Sequence, residues 1–181
     1  MIQLFTELQE KKNVRSNLSA LRASLKEATE EQKAQAIEFV RGHEDLVFGF
    51  LQEEDAKTRK NAALLLGDLA VQNALQPLWK AYTREQTLFV KSAYLEAMKA
   101  LHAEEILSQL KDRLAELEGE PVTEENRKHW EAELRALRAI LIQYEGIDTH
   151  HFDIKQKNNH VLLVTNRNHR GILENQTGGK V

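Results

Sequence analysis

The chain has 181 residues, 29% of them charged, with eight glycines, two prolines, no cysteine and a formal charge of −3. Lack of cysteine excludes a disulfide framework, a thiol nucleophile and a zinc knuckle, and the net negative charge argues against indiscriminate binding to phosphate backbones. No apolar run approaches the roughly 18 residues of a membrane span, and Met1-Ile2-Gln3-Leu4-Phe5 lacks the layout of a signal peptide. The expectation is therefore a soluble, cytoplasmic chain of one domain with a small appendage.

Helix signals dominate residues 1–146. Thr29-Glu30-Glu31-Gln32 has the form of a capping box, which predicts a helix running to about Arg41 and ended by a left-handed Gly42. Asp45 to Gln52 reads as the next helix. Asp55 caps a helix through about Leu69, Asn73 caps another to about Thr83, and further helices fall near 87–101 and 104–118. Glu120-Pro121 interrupts the pattern, because proline disfavours helical geometry in the residue before it. Thr123 then caps a long amphipathic helix, with Trp130, Leu134, Leu137, Ile140, Leu141 and Tyr144 on one side and Gly146 at its end.

After Gly146 the character changes. Residues 147–181 carry a charge of +2 against −5 for residues 1–146, and contain four of the seven histidines. Phe152–Gln156 alternates as a strand does, Lys157-Asn158-Asn159 suits a turn, and His160–Thr165 is a β-rich apolar run, so a short C-terminal β-hairpin is expected. An isolated hairpin is marginal in water and must pack on the last helix or join another sheet, and its edge at 161–164 makes a dimer conceivable. The ending Gln176-Thr177-Gly178-Gly179-Lys180-Val181 has linker composition, so 147–181 reads either as a tail or as the start of a second domain.

Three apolar ladders repeat every 32 residues: Phe5, Ile37, Leu69 and Leu101; Val14, Leu46, Leu78 and Leu110; Leu18, Phe50, Tyr82 and Leu114. The second and third ladders lie four residues apart and share a helix face, while the first falls on the preceding helix. Each unit is then a helical hairpin that buries its apolar stripe only by stacking on its neighbours. Asn73-Ala74-Leu75-Gln76-Pro77-Leu78-Trp79-Lys80-Ala81-Tyr82 resembles the first helix of a HEAT repeat, and Thr58–Leu69, with Val90-Lys91, Ala97-Met98 and Leu101, is similar to its second helix. The resemblance is clearest over 44–114. It implies a mainly α chain, an α-α superhelix of the HEAT-like solenoid kind over 1–146, with second helices on its concave wall. Tyr94 and Leu95 stand where the family has paired alanines, which implies wider helix separation or an altered groove there.

A concave wall of this kind is a contact surface. Its outward positions are Lys60, Leu64, Gly67 and Asp68 on one helix and Ser92, Glu96 and Lys99 on the next. Six of these, Lys60, Leu64, Asp68, Ser92, Glu96 and Lys99, are the candidate partner-binding residues, and their mixed charge suits a protein or peptide. Trp79 and Trp130 read as core residues, and Arg59 as a structural link to a carboxylate or backbone. The alternative function is nucleic-acid binding, or service as an accessory module of an RNA- or DNA-modifying enzyme, through Arg167, Asn168, His169 and Arg170. His150, His151 and Asp153, with His160 or His169, have the chemistry of metal ligands, but adjacent strand residues point to opposite faces, so no metal is assigned. There is no glycine-rich phosphate loop, nucleophile elbow or His-Glu-x-x-His pair, so no cofactor or catalytic residue is assigned and the expectation is a noncatalytic scaffold.

Overall fold

A computed structural model describes residues 1–145 and, for the backbone, 152–157 and 160–165. The first stretch is helical: α1 (Ile2–Gln9), α2 (Val14–Lys26), α3 (Glu30–Gly42), α4 (Glu44–Gly49), α5 (Ala56–Asp68), α6 (Leu75–Arg84), α7 (Leu88–Ala100), α8 (Leu107–Gly119) and α9 (Arg127–Glu145). Short 3-10 turns occupy Phe50–Gln52, Gln72–Ala74 and Ala103–Ile106. Among the described residues, no helix is long and apolar enough to cross a membrane.

The strongest caps lie where the sequence places them. Thr29 and Gln32 form a reciprocal box, with each side chain accepting from the other's backbone at 3.3 and 3.0 Å. Asp55 accepts at 2.8 Å from both the backbone nitrogen and the hydroxyl of Thr58. Thr123 and Asn126 satisfy each other's backbone N–H groups at 3.3 and 2.8 Å, immediately before α9.

Two helix ends differ from expectation. Gly42 is the last helical residue rather than a left-handed cap, because α4 begins two residues later and His43, at φ −138°, makes the break. Asn73 does not cap α6. Its amide donates to Glu44 at 2.6 Å, which ties the start of α4 to the 3-10 turn before α6.

Helices α2, α5, α7 and α9 pack side by side in that order, with α6 on α7, α8 on α9 and the Phe50–Gln52 turn on α5. All twelve ladder residues belong to the core or pack against it. The backbone carries the same period: Ala70 and His102, each following a first-ladder leucine, take left-handed φ of 50° and 54°. The N-terminal part departs from it. Val14 and Leu18 lie on α2, which packs on α5 within the row, whereas Leu46 and Phe50, Leu78 and Tyr82, and Leu110 and Leu114 lie in the facing layer. The first 43 residues thus carry the spacing without the arrangement. There α3 packs on α4, and Phe39 stacks on Phe5 of α1 at 4.3 Å between ring centres.

Tyr94 and Leu95 fill their own sites. Both are buried, and the Tyr94 hydroxyl donates to the Leu51 carbonyl at 3.0 Å, joining α7 to the turn before α5. Beyond the helices, β1 (Phe152–Lys157) pairs antiparallel with β2 (His160–Thr165), Phe152 opposite Thr165. Asn158-Asn159, the expected turn, lies outside the described residues, as does the tail from Asn166 onward, so the hairpin's connection stays an expectation.

Gly67 is not an outward position but a point of close approach in the row. It is buried against α7, where an added Cβ would sit 2.9 Å from Ala97 Cα and 3.3 Å from Ala97 Cβ. A backbone atom cannot swing aside as a side-chain tip can. Gly67→Ala is expected to destabilise the chain by about 1–3 kcal/mol, read as a lower denaturation midpoint at unchanged slope; an unchanged midpoint would show that α5 and α7 separate freely.

Candidate binding surface

The outward strip of α5 follows helical spacing through Lys57, Lys60, Asn61, Leu64 and Asp68, and that of α7 through Phe89, Ser92, Glu96 and Lys99. Ser92, Glu96 and Lys99 are exposed, as expected, and Lys60 is half-buried. Leu64 is not an exposed contact. It is only 7% exposed, because α2 lies along α5 and covers that face. Asp68 is exposed but engaged, accepting from Arg22 of α2 at 2.7 Å. Ser92 donates its hydroxyl to the Leu88 carbonyl at 3.1 Å, which leaves its lone pairs outward.

A groove of about 820 Å³ opens where the first turns of α2, α5 and α7 meet. Arg15 and Ser19 of α2, Lys57, Lys60 and Asn61 of α5, and Phe89 of α7 line it. Sequence reasoning missed Arg15, Lys57 and Phe89. Counting one turn back from Lys60 and from Ser92 along the same faces finds the latter two, whereas Arg15 needed the placement of α2 beside α5. Phe89 is 47% exposed, and it and Ile2 are the two exposed large apolar side chains among the described residues.

A second cavity of about 840 Å³ lies by the loops before α5 and α7, with Phe48, Pro77 and the half-buried Trp79 on its walls. Arg59 and Glu85 close it. Arg59 donates to Glu85 at 2.8 and 3.0 Å and to the Glu53 and Glu54 carbonyls at 2.8 and 2.7 Å. Glu85 also accepts from the backbone nitrogens of Gln86 and Thr87. Burial pushes the Glu85 carboxyl up, but the bonds from Arg59 and Thr87 outweigh it and hold it below the usual range. Trp130 is buried as the sequence implies, and its indole donates to the Leu117 carbonyl at 2.7 Å.

Glu133 of α9 gathers the other buried charges. It accepts from the Tyr82 hydroxyl, from Arg113 at 2.9 Å and from Lys91 at 3.1 Å, so one carboxylate joins α6, α7, α8 and α9. Burial raises the Tyr82 hydroxyl pKa, reinforced by Glu133; Glu133 itself, despite burial, is held low by Arg113 and Tyr82. Both buried carboxylates are therefore fixed as saturated anions, an arrangement that locks helices and offers no proton for acid catalysis.

Among the described residues no three His, Asp or Glu side chains converge on a metal-sized site. The side chains of His150, His151, Asp153, His160 and His169, and those of Arg167, Asn168 and Arg170, lie outside the described residues. No protein family, curated protein or solved structure matches the chain.

Removing the Glu133 charge leaves Lys91 and Arg113 without their shared anion. Glu133→Gln is expected to cost roughly 3 kcal/mol, the low end for breaking a buried pair, since Arg113 keeps Glu120 at 2.9 Å. Because the folded pKa of Glu133 lies below the unfolded one, its contribution is whole above the ordinary carboxylate range and fades as pH falls through the folded value. The difference in midpoint between wild type and Glu133→Gln should therefore be widest near neutral pH and shrink in acid; a difference independent of pH would remove the ionic explanation.

Proposed function

We propose that the chain is a noncatalytic binding module, a small HEAT-like solenoid closed by a C-terminal hairpin, that holds a polypeptide along the outward face of the row formed by α2, α5 and α7. The observation that carries this reading is a division of labour among the charges. Buried ions such as Arg59, Glu85, Arg113 and Glu133 are bonded to one another across helices. On the row, Lys57, Lys60, Glu96 and Lys99 make no ion pair with any described residue and contribute nothing specific to the fold.

The repetition of α6 on α7 and α8 on α9, with the Phe50–Gln52 turn after α4 packed on α5 in the corresponding place, together with the recurring left-handed turn at Ala70 and His102, supports the stacked-hairpin reading. Alternation of sign supports a polypeptide over nucleic acid. Asp68 and Glu96 stand in the path along which a phosphate backbone would run.

The test replaces the far half of the strip, Ser92→Arg with Glu96→Lys and Lys99→Glu, all at exposed positions. With an unchanged melting temperature, this variant should lose most of the polypeptide cross-linked in lysate by a photoreactive group placed at Ala100, beside the strip. Equal cross-linking by variant and wild type would remove the assignment, and cross-linking abolished by nuclease would transfer it to nucleic acid.

A further inference from the structure

Resting on that reading, we propose that the groove at the first turns of α2, α5 and α7 takes an acidic polypeptide segment that also carries a bulky apolar side chain. The charge of the groove is one-sided. Arg15, Lys57 and Lys60 line it, no carboxylate does, and none of the three cations pairs with a described residue. Five cations elsewhere in the helical part are engaged with carboxylates of neighbouring elements: Arg22 with Asp68, Arg59 with Glu85, Lys91 and Arg113 with Glu133, and Arg138 with Glu118. Three cations around one groove, of which only Arg15 feels a nearby carboxylate, Asp55, leave a local positive field, in a segment whose net charge is −5, that a complementary anion relieves.

The backbone adds to this field. None of α2, α5 and α7 has an acidic residue in its first turn, whereas α3 and α4 begin with Glu30-Glu31 and Glu44-Asp45. At α2 and α7 no side chain caps the start, so the positive ends of those helix dipoles face the groove side uncancelled. Asp55, whose charge Arg15 feels, is also bound to Thr58 and lies outside the groove lining.

Two features select a peptide among anions. Phe89 stands at the groove with nearly half its surface in water, an aromatic placed to cover an apolar side chain of the occupant. Ser19 and Asn61 offer short hydrogen-bonding groups suited to a peptide backbone. Beyond the groove, Asp68 and Glu96 oppose a longer run of phosphates, so the cationic site is too short for a nucleic-acid track.

The test is fluorescence anisotropy on the full chain with a labelled peptide of about twelve residues alternating Glu or Asp with Leu or Phe, an extended length of about 40 Å. Controls are its amide counterpart, with Gln and Asn for the acids, and a thymidine oligonucleotide of equal charge. The acidic peptide should bind, and Lys57→Glu with Lys60→Glu should weaken it about tenfold or more, as should the amide replacement. Arg15→Glu, on a different helix, should weaken it in the same direction, and Phe89→Ser should weaken acidic and amide peptides alike. No binding at low salt, binding indifferent to all three cations, or tighter binding of the oligonucleotide would each overturn the proposal. None of these substitutions touches Ser92, Glu96 or Lys99, so failure here with continued strip-dependent cross-linking would reject the acidic partner and leave the binding row in place.

Discussion

The contact between Gly67 and Ala97 sets the spacing on which the rest depends. With no Cβ at 67, α5 and α7 meet backbone to side chain near their C-terminal ends, and Leu65, Leu66, Ala97 and Met98 around that point are fully buried. A larger residue on either helix would hold them apart along their whole length. Because both helices run the same way in the row, fixing their C-terminal ends also fixes where their first turns come out, and there α2 adds a third. The groove is thus a consequence of packing at the other end of the same helices.

Electrostatics in the molecule divides into two populations with different physical meaning. Glu85 and Glu133 are desolvated, each held by Arg and by further donors, and their anions persist because several hydrogen bonds outweigh burial. Such groups specify how one helix pair sits on the next: Glu133 alone ties α9 to α6, α7 and α8. Arg15 and Lys57 are exposed and Lys60 is half-buried, and none of the three forms an ion pair across the described helices, so they bind the fold less tightly than the buried charges do. A side chain that the fold holds less tightly, repeated around one groove, is where binding specificity can reside at little cost to stability.

What was legible in the sequence was local. The Thr29–Gln32 box, the Asp55 cap and the Thr123 start each depend on residues within three positions, and the structure realises them. What was not legible depended on partners far along the chain. Asn73 has the chemistry of a cap, yet Glu44, 29 residues earlier, takes its amide. Leu64 has the spacing of an outward residue, yet α2 covers it, and nothing near position 64 announces that. The ladders show the same limit: a shared period matches the packing of Val14 and Leu18 in or against the core, but does not ensure that α2 takes the place of a first helix. Of the candidate surface, Ser92, Glu96 and Lys99 followed from helical counting alone, and Phe89 would have followed had the count continued one turn toward the start of α7.

The displacement of α2 into the row changes the charge along its edge. In a strict repeat the helix before α5 in that row would be α3, whose first turn holds Glu30 and Glu31 and would set two carboxylates beside Lys57 and Lys60. Instead the neighbour is α2, which begins Val14-Arg15-Ser16 and brings a cation and two short hydroxyls, Ser16 and Ser19. The break in the period at the N-terminus therefore turns what would be a self-neutralised edge into a positive one. The same substitution places Arg22 opposite Asp68, so the far end of the α2–α5 seam is neutralised while the near end is left charged. A charge gradient along one seam, basic and aromatic at the first turns and balanced toward the last, would give the proposed partner a preferred direction as well as a place.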